Sequence, residues 1–154
     1  MRTLTALAWL AVVIAPALPA QGPAPKSAPL QWGPAPAVFP PGAKMAVVSG
    51  DPGKAGPFAV ELAMPNGYKV PPHFHPSDER IEIRQGTLLV GMGDSVDAAN
   101  MKPMKLGDTH TMPAGTHHFA TARGATVIAV SAQGPFGMTY VHAADDPLKP
   151  AAQP

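Results

Sequence analysis

The chain has 154 residues, 45% of them apolar and only 14% charged, with 15 glycines, 21 prolines and no cysteine. That length and apolar share fit one domain with one core, and the glycine and proline load favours strands and turns over helices. Eleven basic residues face ten acidic ones without a basic run, which makes nucleic acid and anionic membranes poor partners; the lack of cysteine excludes disulfides, thiolate metal ligands, cysteine nucleophiles and a lipid-attachment cysteine.

Residues 1–20 read as a secretory signal peptide. Arg2 is the positive start, Leu4 to Ile14 the apolar run, and small residues follow, so cleavage is expected after Ala17 or Ala20. The run is about half the ~20 residues a spanning helix needs, so no membrane association is expected after cleavage. The expected destination is the periplasm or the cell exterior. Residues 21–42 form a Pro/Ala-rich linker or N-terminal arm of extended character. Its apolar islands Trp32, Val38 and Phe39 are expected to dock on the following domain, because an exposed Trp in a linker is unfavourable. Residues 43–142 are the domain, and 143–154 read as a flexible tail.

Within the domain no 3.6-residue apolar period is sustained. Short β-rich runs separated by turn signals replace it. They are Met45–Ser49, Phe58–Met64, Tyr68–Val70, His73–His75, Arg80–Arg84, Thr87–Gly91, Asp108–Met112, His118–Thr121, Ala125–Ser131 and Met138–His142, with one helical turn within Asp94–Asn100. About ten short strands at this spacing predict an all-β sandwich or small barrel.

The chemistry concentrates in two segments. In His73-Phe74-His75 two imidazoles lie two residues apart on an extended segment, kept so by Pro71 and Pro72, and therefore project together. In the stretch Asp78 to Arg84, Glu79 shares a face with Ile81 and Ile83, whereas Asp78, Arg80, Glu82 and Arg84 share the other. The isoleucines must face the core, so Glu79 faces inwards too. A carboxylate there is costly unless it is ligated or paired, which selects Glu79 as a ligand over Asp78 and Glu82; the alternative is a salt bridge at the barrel mouth. The second segment is Gly107 to Ala120, where a turn at Pro113–Thr116 leads into His117-His118. Only one of these two histidines can point inwards, and parity leaves the choice open.

These residues resemble the cupin superfamily, and small secreted single-domain cupins in particular. Gly67, His73, His75, Glu79 and Gly86 have the spacing of the first cupin motif, and Gly107, Pro113, Gly115 and His118 that of the second. The usual terminal Asn of the second motif falls at Ala122, a departure at a position that is not a metal ligand. The resemblance covers about residues 43–142. It implies an antiparallel jelly-roll β-barrel, the cupin double-stranded β-helix, and a possible homodimer. It also implies one metal held by His73, His75, Glu79 and His118, which decides for His118 over His117.

Three imidazoles and one carboxylate suit one divalent transition metal, Fe, Mn, Ni, Cu or Zn, more than Mg or Ca. The expected function is a metal-dependent oxidoreductase of dioxygenase type acting on a small organic molecule. The alternatives are a redox-neutral isomerase or lyase and a non-catalytic periplasmic module that binds or senses a small ligand. Walls are expected from among Phe58, Val60, Met64, Ile81, Ile83, Val90, Met112, Phe119, Ile128 and Phe136. His110 is a candidate proton donor or a plain exposed histidine, and His142 has no assigned role. Tyr68 and Tyr140 are candidates to hydrogen-bond a substrate. The methionines, among them Met92, Met101, Met104 and Met138, read as gap fillers rather than copper ligands.

Overall fold

The computed structural model describes residues 29–149. The signal peptide, its cleavage sites, the linker up to residue 28 and the tail from residue 150 lie outside them. Among the described residues the chain is nearly all antiparallel strand, and no helix is long and apolar enough to cross a membrane.

Nine strands form one curled sheet: β1 Gly33–Pro34, β2 Lys44–Ser49, β3 Gly56–Met64, β4 Lys69–Phe74, β5 Glu79–Met92, β6 Lys102–Lys105, β7 Thr109–Met112, β8 His118–Gly134 and β9 Thr139–Tyr140. The 17-residue β8 is the hub and pairs with β3, β4 and β5. β3 shows why these segments become strands. Phe58, Val60, Leu62 and Met64 alternate with less buried residues and all face the core, each burial contributing roughly 1.5–3 kcal/mol.

Two long strands replace four shorter ones expected from the sequence. Residues 85–86 and 122–124, which fall between the expected strands, lie inside β5 and β8 respectively. The β5–β8 register shifts between Ile83 and Thr87, so Gly86 marks a bulge that bends the ladder. Its φ is +74°, and a Cβ there would lie 2.4 Å from the Ala125 carbonyl oxygen. Both facts demand glycine. The bend has a large consequence. Glu79 pairs with Ala132 at one end of the ladder and His118 with Met92 at the other, yet the two side chains approach within 3.4 Å. Folding the ladder back brings its ends together.

β6 escaped the sequence reading because Pro103 and two lysines look like a loop. It pairs only with β5, and an edge strand tolerates proline. The expected helical turn is present as a 3-10 turn at Ala98–Asn100, where Asp97 accepts from the Ala99 amide at 3.0 Å. The arm docks in part. Phe39 and Ala35 pack on the core, and the Tyr68 and Tyr140 hydroxyls donate to the carbonyls of Pro40 (2.6 Å) and Val38 (2.7 Å). Trp32 remains exposed, contrary to expectation.

Candidate metal centre

β4 delivers His73, the residues just after it His75, the start of β5 Glu79, and the start of β8 His118. All four are buried. Strand parity alone does not bring the histidines inside, since Val70 already faces the core three residues earlier. An irregularity between Val70 and His73, opposite Ala120 and His118, inserts the extra residue that turns His73 inwards. On β5 the expected parity holds. Glu79, Ile81 and Ile83 face in, while Arg80 and Arg84 flank Glu82 outside with contacts of 3.5 and 2.8 Å.

One ring nitrogen from each of His73, His75 and His118 can be chosen so that all lie within 4.8 Å of one another, an arrangement able to hold a metal ion. The opposite nitrogens are all engaged by main-chain carbonyls. Nδ1 of His73 lies 2.7 Å from the Pro71 oxygen, that of His75 2.7 Å from Gly137, and that of His118 2.9 Å from Thr116. A carbonyl can only accept, so each Nδ1 carries the proton and each Nε2 presents a lone pair in the neutral ring. The Glu79 Oε2 atom stands 3.6 Å from Nε2 of His75 and 3.4 Å from that of His118. Neither His75 Nε2 nor Glu79 Oε2 has a hydrogen-bond partner among the described residues. Buried polar atoms without partners are costly, and a cation between them would satisfy both.

The electrostatics agree with a cation site. Burial, aided by the neighbouring His118, holds the His73 pKa well below the ordinary histidine value. Burial also lowers that of His75, against the opposing pull of Glu79. For His118 burial again works against charge, but Glu79 and the Thr116 carbonyl outweigh it and the pKa is raised.

The surroundings brace the cluster. Phe136 stacks on the His75 ring at a centroid distance of 4.4 Å. Asp78 lies outside the cluster and accepts from the Ala114 amide at 2.8 Å, while the Gly115 amide donates to the His75 carbonyl at 2.9 Å, so the two motif segments hold each other. His117 faces away, stacks on Phe74 and lies 2.5 Å from Asp94. His110 is exposed on β7, and the exposed His142 contacts the Asp94 carbonyl through Nε2 at 2.7 Å. None of the three joins the cluster. Tyr68 and Tyr140 serve the arm through the bonds given above, and neither hydroxyl belongs to the cluster.

Of the expected walls, Phe58, Val60, Met64, Ile81, Val90, Ile128 and Phe136 line a cavity adjoining His73, Glu79 and His118. Ile83, Met112 and Phe119 do not line it, although all three are buried; Phe119 packs so close to Gly91 that a Cβ there would be 2.2 Å from its ring. Leu62 lines the cavity as well, and the strict alternation of β3 signals it. Nothing in the sequence signals the Gly137 carbonyl that orients His75.

No protein-family model and no curated protein matches the sequence. The fold, however, has solved counterparts. The chain is similar to the polyketide cyclase RemF from Streptomyces resistomycificus, with 18% identity over 68% of this chain and 75% of that one and a TM-score of 0.58. It is similar to an RmlC-like cupin from Shewanella frigidimarina, with 18% identity, 60% and 76% coverage and a TM-score of 0.51. It is also similar to an oxalate oxidase, with 24% identity, 70% and 59% coverage and a TM-score of 0.51. These likenesses, with the curled antiparallel sheet, establish the architecture expected from the two motifs: the chain has the cupin fold.

Proposed function

We propose that the protein is a metal-dependent enzyme, an oxidoreductase of dioxygenase type acting on a small organic molecule, in which His73, His75, Glu79 and His118 hold one divalent transition metal. The observation that carries this reading is the pairing of three carbonyl-fixed Nδ1 atoms with inward Nε2 atoms around the partnerless Glu79 Oε2. Three neutral nitrogens and one carboxylate suit Fe, Mn, Ni, Cu or Zn. A bound ion would supply redox or Lewis-acid activation of a molecule in the adjoining cavity. The chain's own residues do the rest. The carbonyls of Pro71, Thr116 and Gly137 fix the imidazole tautomers, Phe136 holds the His75 plane, and the apolar walls exclude water. An oxalate oxidase and a polyketide cyclase share the fold, which is therefore compatible with both redox and redox-neutral chemistry. The redox reading rests on the donor set.

Export to the periplasm or beyond belongs to the same proposal and rests on residues 1–20. So does a homodimer, for which light scattering should return twice the chain mass.

Elemental analysis of protein purified from its native export route tests the ligand set. About one equivalent of a transition metal is expected, and His73→Ala should lose at least ten-fold in affinity. Unchanged metal content in His73→Ala would overturn the assignment. Oxygen consumption by the iron- or copper-loaded protein tests the reaction, and turnover that proceeds without oxygen would overturn the dioxygenase reading.

A further inference from the structure

The cavity beside the cluster has a volume of about 260 Å³. Among the described side chains that line it, only His73, Glu79 and His118 carry nitrogen or oxygen. The remainder are aliphatic, aromatic or thioether groups and glycine, with Phe58, Val60, Leu62, Ile128 and Val130 forming much of the body. Among the described residues, neither a lysine or arginine nor any serine, threonine, asparagine or glutamine faces it. The arm contributes to the same wall through Pro36, Val38 and Phe39.

This lining restricts what the cavity can hold. A sugar or polyol would bury several hydroxyls, each needing a partner that the walls do not offer. A dianion would bring one charge more than the site can balance. Three neutral imidazoles and one carboxylate around a divalent ion leave a single positive charge, with no cation on the walls to meet another. One anionic oxygen at the cluster and an otherwise apolar body satisfy both limits. For size, a dry apolar cavity of 150 Å³ accommodates benzene, so 260 Å³ fits a body of about ten non-hydrogen atoms. On the basis of the metal site proposed above, we infer that this cavity takes a small apolar molecule bearing one ionisable oxygen, of the phenol or enol class. The oxygen sits at His73, Glu79 and His118, and the hydrocarbon lies against β3 and the second half of β8.

Titration of the full domain with 2-naphthol, oxalate and glucuronate, followed by calorimetry, tests this in two separable arms. In the metal-free protein the naphthol should bind through its hydrocarbon body alone. In the zinc-loaded protein, where no redox turnover intervenes, its affinity should rise at least ten-fold and exceed that of oxalate and glucuronate by at least ten-fold. Val60→Phe, which fills the cavity from β3, should lower naphthol affinity at least ten-fold while leaving zinc content unchanged. If Val60→Phe misfolds, the milder Ala120→Val should lower it in the same direction. Zinc binding with no naphthol binding, or with tighter binding of oxalate or glucuronate, would overturn the inference and leave the metal site standing. Loss of zinc binding with naphthol still bound to the metal-free protein would overturn the metal site and leave the apolar cavity standing.

Discussion

The β5–β8 ladder is built differently at its ends and in its middle. At its ends, Glu79 and His118 are buried polar groups whose Nε2 and Oε2 atoms stand close without a good hydrogen bond. In its middle, Ile83 and Thr126 are buried almost completely, and the Thr126 hydroxyl donates to the Thr87 carbonyl at 3.0 Å. The middle is arranged for stability, with every polar atom named there satisfied. The ends hold charge and lone pairs in a place where an apolar core would be more stable. That contrast separates the part of the strand pair that maintains the bend from the part that the bend serves.

The contrast can be broken most severely at Gly86. Gly86→Ala should cost on the order of 4 kcal/mol, because left-handed strain of about 1–3 kcal/mol adds to a clash with the Ala125 carbonyl. Chemical denaturation measures it, and a loss under 1 kcal/mol would show that the bend does not need glycine. Ile83→Ala should cost about 3 kcal/mol by leaving a cavity in the close-packed middle, with metal content unchanged once the protein is folded. Coupled loss of metal there would mean that middle and ends are not separable. At the ends the sign should reverse. At alkaline pH, where His118 with its raised pKa has also lost its proton, Glu79→Met should stabilise the metal-free protein by about 1–2 kcal/mol, since all three imidazoles are then neutral and no cation is left unpaired. It should also lower metal content, and a destabilised metal-free variant would refute the idea that Glu79 is held against stability.

The smallest effect concerns the arm. Tyr68→Phe should cost about 1 kcal/mol at neutral pH by leaving the Pro40 carbonyl without its donor. Burial pushes the Tyr68 pKa up to about 12 from its ordinary value of 10. A raised folded-state pKa means that the phenol's contribution is full below pH 10 and is lost as the pH rises towards 12. Wild-type melting temperature should therefore fall across that window more than that of Tyr68→Phe, and equal falls would place the Tyr68 hydroxyl outside the stability of the arm.

The sequence was most legible where one face of a strand decides a residue's fate. Glu79 is the clearest case: Ile81 and Ile83 had to face the core, and their parity carried the carboxylate in with them. Alternation likewise made β3 readable from Phe58 to Met64. His118 needed the motif resemblance, because small and bulky residues on either side of the strand left two registers open. Parity failed where backbone irregularity intervened, at the Val70–His73 bulge and at Gly86 and Gly124, since a glycine inside a long strand has the same local signature as one that ends it. Contacts distant in sequence left no trace at all. The Gly137 carbonyl lies 62 positions from His75, and the Val38 carbonyl lies 102 from Tyr140. The tyrosines looked like substrate ligands because a hydroxyl's partner is set by topology rather than by its neighbours in the chain.

The carbonyls that hold His73, His75 and His118 carry one more implication. All three belong to the main chain, two of them only two residues before the histidine they serve. Almost any amino acid at 116, for example, would present the same oxygen. The proton placement on the three rings is therefore inherited with the path of the backbone and is insulated from drift in the surrounding side chains. A lineage could rebuild every wall of the cavity, and so exchange one guest molecule for another, while the three Nε2 lone pairs stayed aimed at the same point.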